Sequence, residues 1–226
     1  MVSICLSNYS DDEKKEIMSL WGKITFRIYG LFDKDSRNCV GDYVSLAGKI
    51  YNGLKFENAK KELENIGSSY PIEDIIGVLK GKNWYHDYSD QLKYILYRYE
   101  KHLVESDGGA ISDITWGEIW SDTPANTIEH VIPKTYNDVF QKNWNLLNVN
   151  CQDDLDRYVH NIGNLTLLPP KLNSRLGQKS FKEKKKEYKN YTLRITKSIE
   201  KKRKWGEKEI LAREKEILNF IENEWK

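Results

Sequence analysis

The spacing of apolar residues changes near residue 110. Before this point, apolar side chains recur every three or four residues, as at Leu92, Ile95, Leu96 and Tyr99, which predicts helices. After it, two short runs at residues 127–132 and 162–168 are rich in Ile, Val, Thr and Leu and have the length of strands. A long polar connection, residues 133–160, separates them. The chain is therefore expected to be mainly helical, with a small two-stranded element in its second half.

Helix boundaries are marked by capping residues and by Gly and Pro. Ser10 before three acidic residues predicts a helix start, and Ser180 with Glu183 predicts a capping box. Pro169 and Pro170 open a short helix that Gly177 can end. The predicted helices are those that start at Asp11 and at Ser180, the short helix after Pro169, and residues 42–50, 57–66, 71–79, 87–104 and 210–225.

A cluster of Gly, Asp and Ser at residues 105–113 predicts a loop or a domain joint. We therefore expect a helical subdomain at residues 1–108, a core at 109–195 that holds the strands, and a C-terminal helical segment at 196–226 that packs on the rest.

Composition excludes several classes of protein. Hydrophobic content is 39% and aromatic content 12%, enough to build a core. No apolar run reaches about 18 residues, and the N-terminus lacks the pattern of a signal peptide. The three cysteines are far apart and form neither a zinc-binding pair nor a disulfide framework. A bacterial cytoplasm is the expected compartment.

Basic residues are concentrated in one segment. Residues 171–204 carry fourteen Lys and Arg against three Glu, although the whole chain has a net charge of only +2. Such a segment indicates either a surface that binds a polyanion or a solvated lysine-rich helix face.

Three polar residues stand at the edges of the strand-like runs. His130 lies in EHVIP, Asn164 in HNIGNLTLLP, and Asn173 in PPKLNSRLG. This order resembles the HNH (His-Me finger) nucleases, and more narrowly the C-terminal HNH domain of GmrSD-type, modification-dependent restriction enzymes. The resemblance extends through Ser180–Lys184 and to WGKITFRIYGLF near the N-terminus. It implies a small ββα-metal core with helical N-terminal and C-terminal parts packed around it.

Phosphodiester hydrolysis explains why such residues would occur together. An imidazole can accept a proton from water at neutral pH, and a hard cation bound by oxygen ligands can stabilise the phosphate. By resemblance, His130 is the general base and Asn164 pins the long loop and so orients His130. Glu129 and Asn173 are the implied ligands of Mg²⁺ or Mn²⁺. Glu129 could bind the metal directly, bind it through water, or only support the loop.

Several further residues have expected roles, some of them by resemblance and others from their surroundings in the sequence. His160 is either a hydrogen-bonded loop residue or a catalytic one, Gly163 is expected to allow a backbone turn, and Pro133 to end the strand. His86 and His102 match no motif and are expected to be structural or exposed. Tyr188 or Tyr191 could stack on a base or pack in the core. The predicted DNA contacts are Lys171, Arg175, Lys179, Lys182, Lys184 and Lys185.

The resemblance implies a metal-dependent DNA endonuclease of a type IV restriction system. It would act on double-stranded phage DNA with modified cytosine, such as glucosylated hydroxymethylcytosine. We expect an N-terminal sensor partner, similar to GmrS, to use the NTP, because this chain has no P-loop motif. The chain would then be a nuclease subunit or the C-terminal half of a longer enzyme. The alternatives are a stand-alone nicking or toxin-like nuclease, which would cleave unmodified DNA alone, and a catalytically silent nucleic-acid-binding assembly module.

Overall fold

The computed structural model describes residues 1–111, 117, 119–144 and 149–226. These residues are mainly helical and include one small antiparallel sheet of two strands, as predicted. Backbone contacts divide the chain into two compact units. The first unit contains Met1–Leu79 and Ile221–Lys226, and the second contains Lys80–Phe220. The functional division at residues 108 and 195 stays a prediction, and residues 112 and 113 of the expected joint lie outside the described part.

The first unit is built from helices whose ends agree closely with the sequence prediction. The capping box before the second helix is present: Ser10 Oγ accepts the Glu13 backbone N–H at 3.3 Å, and Glu13 Oε2 accepts that of Ser10 at 2.7 Å. The elements are α1 (Val2–Leu6), α2 (Asp11–Thr25), a π-helical segment (Phe26–Leu31), α3 (Val40–Tyr51), α4 (Phe56–Gly67) and α5 (Ile72–Leu79).

The core of the first unit is apolar. It contains Ile17 and Ile24 from α2, Leu46 from α3, and Leu63 from α4, all of them buried. Buried core residues on the same helix are four or seven positions apart, as are Leu46 and Ile50 or Ile17 and Ile24, which brings them to one face. The hydrophobic effect therefore supplies the main stabilisation of this unit.

The second unit contains the sheet. In the described part of the chain, the helices before the sheet include α6 (Trp84–Asp87), α7 (Ser89–Ser106) and α8 (Pro124–Thr127). The strands are β1 (Ile128–His130) and β2 (Leu165–Leu167), and between them lie α9 (Asp138–Trp144), α10 (Gln152–Val159) and a 3₁₀ turn (Ile162–Asn164). After the sheet come α11 (Pro170–Leu176), α12 (Phe181–Lys189), α13 (Arg194–Glu200) and α14 (Glu207–Glu224).

The sheet is short and completely buried. Its register pairs Ile128 with Leu167 and His130 with Leu165. Both predicted runs contain a strand, but residues 162–164 turn into the 3₁₀ segment instead of extending β2. All six strand residues are buried, so both faces of the sheet are covered.

The connection between the strands is not structureless. It folds into α9 and α10, whose buried residues include Phe140, Trp144 and Leu155. Residues 145–148 of this connection lie outside the described part of the chain. Packing of the two helices fixes both ends of the connection next to the sheet.

The helices after β2 begin and end where Pro, Gly and capping residues predict, with one exception. Gly177 ends α11 with a φ of +42°, and the Ser180–Glu183 capping box opens α12. Helix α13 was not predicted, because its cap comes from a distant residue: the buried Glu100 carboxylate accepts the backbone N–H groups of Arg194 and Ile195 at 2.9 and 2.7 Å. Within the described residues, every helix is too short or too polar to cross a lipid bilayer.

Candidate active site

The end of β1 presents His130 to a line of three histidines, which we call the histidine file. His130 Nε2 lies 3.2 Å from His160 Nδ1, and His160 Nε2 lies 3.3 Å from His86 Nε2. His130 and His160 are buried, whereas His86 is exposed. The file therefore leads from the sheet to solvent through hydrogen-bonding distances.

Helix α6 holds the outer part of the file in place. The Trp84 backbone N–H donates to the His160 carbonyl at 3.1 Å, which joins the helix to the residue after α10. The Tyr85 ring stands edge-on to His130 at 4.5 Å between centroids and is nearly parallel to His160 at 5.6 Å. The aromatic ring thereby limits the rotation of both imidazoles.

Burial keeps the two inner histidines neutral. It lowers the pKa of His130 well below its usual value, with a further contribution from His160. It also lowers the pKa of His160 to about 4, with a further contribution from His86. A neutral imidazole keeps one nitrogen lone pair free to accept a proton, so His130 has the protonation state that a general base needs.

Glu129 lies in a buried ion pair. Its Oε1 accepts hydrogen bonds from Lys184 Nζ at 2.7 Å and from the Tyr188 hydroxyl at 2.9 Å. Lys184 Nζ also donates to the His130 carbonyl at 2.7 Å. Burial raises the pKa of Glu129 and lowers that of Lys184, and each charge opposes the effect on the other. The pair ties helix α12 to the strand that carries His130.

The position of Lys184 corrects one prediction. Its side chain is fully buried, so it is not available to contact a DNA phosphate. Tyr188 is also buried, so of its two expected roles, base stacking or core packing, the structure shows core packing.

Asn164 fastens both ends of the connection between the strands. Its Oδ1 accepts from the Ile132 backbone N–H at 2.9 Å and from Trp205 Nε1 at 3.1 Å. Its Nδ2 donates to the carbonyls of Ile132 and Val159 at 3.1 and 3.0 Å. The side chain has no exposed surface, so it acts on His130 through the backbone and not by touching a substrate.

Gly163 is required for a different reason from the one predicted. Its φ lies outside the left-handed region, so no special turn depends on it. A Cβ at this position would instead lie 2.1 Å from the carbonyl oxygen of Ile210 at the start of α14. Arg213 of the same helix donates to the carbonyls of Gly163 and Leu165 at 2.8 and 2.7 Å. Close packing of α14 therefore fixes the entry into β2.

An open cleft of about 250 Å³ lies beside His130, and we call it the histidine cleft. Both Asn173 and Glu129 line it, together with Pro133, which is three residues beyond the end of β1. Tyr85 and Lys134 form its rim, with Lys134 Nζ 5.1 Å from the centre of the Tyr85 ring. The cleft thus brings together His130 and the two residues predicted to bind metal.

The donor groups of this cleft fit a divalent cation that retains water. Asn173 Nδ2 donates to the carbonyls of Asn126 and Ile128 at 2.8 and 3.1 Å, which leaves its Oδ1 as the acceptor. Glu129 adds a carboxylate, although its Oε1 is already bonded to Lys184. Among the described residues, no group of three or more His, Cys, Asp or Glu could hold a metal. Such a sparse oxygen set suits Mg²⁺ or Mn²⁺ completed by water and phosphate.

The remaining predicted DNA contacts occupy different positions. Lys171 is exposed, while Arg175 pairs with Glu187 at 2.7 Å. Lys179 is half-buried. Lys182 and Lys185 line a second, larger cleft, described below. None of these five side chains lines the histidine cleft.

Two residues of the site were missed by the sequence analysis. Tyr85 and His86 belong to a four-residue helix more than 40 positions before His130, and no motif links them to it. His86 is exposed, as expected, but its contact with His160 makes it part of the file. His102 lies away from the file, with its ring against those of Tyr99 and Phe220.

Comparison with protein-family models gives one match. The model described as "GmrSD restriction endonucleases, C-terminal domain" matches residues 71–220. Neither the curated proteins nor the solved structures gave a match. The matched range includes the histidine file, both strands, and Asn173.

Proposed function

Since the chain belongs to the family of GmrSD restriction endonuclease C-terminal domains, we propose that it is a metal-dependent DNA endonuclease with an HNH-type site. The observation that carries the proposal is a neutral His130 on the same cleft as the free amide oxygen of Asn173. A neutral base beside an oxygen ligand is what metal-assisted hydrolysis of a phosphodiester requires. The strand, connection, strand and helix order around this cleft would be the ββα-metal core.

His130 has one nitrogen for the reaction and one for its neighbour. Its Nε2 faces His160, so Nδ1 is the nitrogen left to accept a proton from the attacking water. In this tautomer, His130 carries its proton on Nε2 and donates it to His160 Nδ1. His160 then carries its proton on Nε2 and donates it to His86 Nε2. In this arrangement, Asn164 and the Glu129–Lys184 pair position the backbone of His130, and the file stabilises its tautomer.

Asn173 Oδ1 and the Glu129 carboxylate would hold the cation. When bound, Mg²⁺ or Mn²⁺ would neutralise charge on the scissile phosphate and on the leaving oxygen. Attack of water on phosphorus with loss of the 3′ oxygen would leave a 5′-phosphate and a 3′-hydroxyl.

We extend the proposal to type IV restriction, on the basis of the family name alone. The substrate would be double-stranded DNA with modified cytosine, and a sensor partner or domain would use the NTP. A stand-alone nuclease would instead cleave unmodified plasmid without a partner, and a silent binding module would cleave neither substrate.

The test compares His130→Ala with His102→Ala, a histidine of the same unit outside the file. Both variants and wild type are incubated with plasmid and with glucosylated phage DNA, in Mg²⁺ or Mn²⁺, with and without the sensor partner. Cleavage by His130→Ala should fall about 10²–10⁴-fold, because the base is lost. His102→Ala should cleave as wild type does. Equal cleavage by His130→Ala and wild type would exclude His130 as the base.

Metal dependence is tested separately with Asn173→Ala. This variant should cleave slowly at limiting Mg²⁺ and recover partly in excess Mg²⁺, because a ligand has been removed while the base remains. Cleavage by wild type that continues in EDTA would rule out the metal-dependent mechanism.

A further inference from the structure

Helix α12 directs its side chains into two environments. Lys184 and Tyr188 point inward and bind Glu129, as described above. Lys182, Lys185 and Lys186 point to a second cleft of about 960 Å³, which we call the lysine cleft. Its walls also include the ends of α9 and α10, the segment at residues 201–206, and the start of α14. All of these belong to the second unit.

The lysine cleft is strongly basic. Seven cationic side chains line it against three glutamates. Lys185 Nζ donates to the Lys202 carbonyl at 2.7 Å, so one cation is fixed at the wall, while most of the others are exposed. Its cationic side chains are Lys182, Lys185, Lys186, Lys189, Arg203, Lys204 and Lys208. This arrangement favours an anionic ligand with more than one charge.

One wall of the same cleft is aromatic. Phe181 and Tyr158 are half-buried, so each has ring surface available to a ligand. Phe181 lies 5.8 Å from Trp205 and 6.3 Å from Trp144, between ring centroids. The indole Nε1 of Trp144 is buried and has no hydrogen-bond partner among the described residues. Aromatic faces beside cations are the means by which proteins hold the bases and phosphates of a nucleic-acid strand.

We propose that the lysine cleft binds a nucleotide, with its phosphate on the lysines and its base against Phe181 and Tyr158. The volume is that of a small-ligand site, larger than a single phosphate needs. The nucleotide would come from the DNA strand, a source that rests on the proposed function. A free nucleotide has the same chemistry, and the experiment below separates the two.

The cleft is linked to the active site by one residue. Trp205 forms part of the aromatic wall, and its Nε1 donates to Asn164 Oδ1 at 3.1 Å. The same oxygen accepts the backbone N–H of Ile132, two residues after His130. A nucleotide packed beside Trp205 would therefore stabilise the geometry that positions the general base. The cleft is thus a binding site with a direct mechanical connection to catalysis.

The experiment measures binding without cleavage. The full chain with His130→Ala is titrated in EDTA against a fluorescein-labelled, single-stranded 12-mer, and binding is followed by anisotropy. Unlabelled 12-mer, thymidine 5′-monophosphate and inorganic phosphate are used as competitors. Because no cleavage is measured, failure of the nuclease proposal would not affect this result.

Two variants separate the aromatic contribution from the charge. Phe181→Leu keeps an apolar side chain and should weaken binding of the 12-mer about tenfold, because base stacking is lost. Lys186→Gln with Arg203→Gln should weaken binding and reduce the slope of log K against log salt by about 2. The matched control, Lys61→Gln with Lys215→Gln, removes two exposed charges outside the cleft and should bind as the parent does. Thermal melting checks that each variant is folded.

The competitors identify the source of the nucleotide. If the monophosphate displaces the labelled 12-mer at a concentration well below that needed for phosphate, the ligand is a free nucleotide. If only unlabelled 12-mer displaces it, the ligand is a strand. Either result supports a nucleotide site. The proposal is overturned if phosphate competes as well as the monophosphate and Phe181→Leu binds normally, or if the Lys186 and Arg203 pair behaves like its control.

Discussion

The two units bury very different side chains. In the first unit, Arg27 is the one charged residue that is buried across residues 1–79 and 221–226, all of which are described. Its guanidinium donates to the carbonyls of Gly67 and Trp225. In the second unit the buried ionisable groups include Lys93, Glu100, Glu129, His130, His160, Lys184, Arg213 and Glu214. Glu129 and His130 lie in β1, and Lys184, His160 and Arg213 form hydrogen bonds with residues of the two strands.

This difference agrees with the position of the proposed active site in the second unit. Removing a charge from water costs several kcal/mol, and a buried ion pair returns that cost only with good geometry. Apolar residues of similar volume would often stabilise a fold as well or better. The second unit therefore retains a polar interior that stability alone does not require, whereas the first is organised by apolar packing.

The largest expected effect comes from removing one half of the buried ion pair. Lys184→Met should lower the free energy of unfolding by about 3–5 kcal/mol, because Glu129 would remain buried without a cation. Urea unfolding measures the loss. Lys186→Met, two positions along the same helix and exposed, should stay within about 0.5 kcal/mol of wild type. A loss below about 1 kcal/mol for Lys184→Met would show that the pair is solvated.

A smaller effect should appear as the pH falls. The folded-state pKa of His160 is about 4 and lies below that of the unfolded chain, so the unfolded chain binds more protons at acidic pH. Stability from this group is present above about pH 6.5 and is lost as pH falls towards 4. His160→Gln should remove about 1–2 kcal/mol of the loss between pH 7.5 and pH 5, measured by urea unfolding.

The first unit supplies the control for this pH effect. Leu63→Ala deletes a core side chain and should cost about 2–5 kcal/mol at either pH, because no titrating group is involved. Its pH dependence should therefore match that of wild type. If His160→Gln also matches wild type, the histidine file is not kept neutral by the fold.

The smallest effect tests the bond between the lysine cleft and Asn164. Trp205→Phe removes the indole N–H but keeps an aromatic ring, so the loss should be about 1 kcal/mol, or roughly 3 °C in melting temperature. Cleavage should fall more than stability does, since Asn164 positions the backbone after His130. Trp21→Phe in the first unit is the control, and this variant should cleave as wild type does.

Local signals in the sequence predicted most helices, the helix start at Ser10, and the capping box of Ser180 and Glu183. Ser10 with Glu13, and Ser180 with Glu183, act within four residues, so each could be identified without knowledge of the fold. Helix α13 could not be identified in this way, because Glu100 caps it from 94 positions away. The contact between His86 and His160 is also a product of tertiary packing, since 74 residues separate them.

Lys184 could have been placed correctly from the sequence. Lys184 and Tyr188 have the spacing i, i+4, which assigns them to one helix face. The run of lysines suggested a uniform surface and concealed this periodicity. Position on the helix was therefore a better guide to the role of each lysine than the charge of the segment.

Helix α12 separates two properties that enzymes often combine in the same residues. Lys184 and Tyr188 bind Glu129, while Lys182, Lys185, Lys186 and Lys189 face the other cleft. If the lysine cleft binds the proposed nucleotide, exchange of surface residues on this helix would change the affinity for it and the salt dependence of binding. Such changes would leave the Glu129–Lys184 ion pair in place, because Lys184 lies on a different face of the helix.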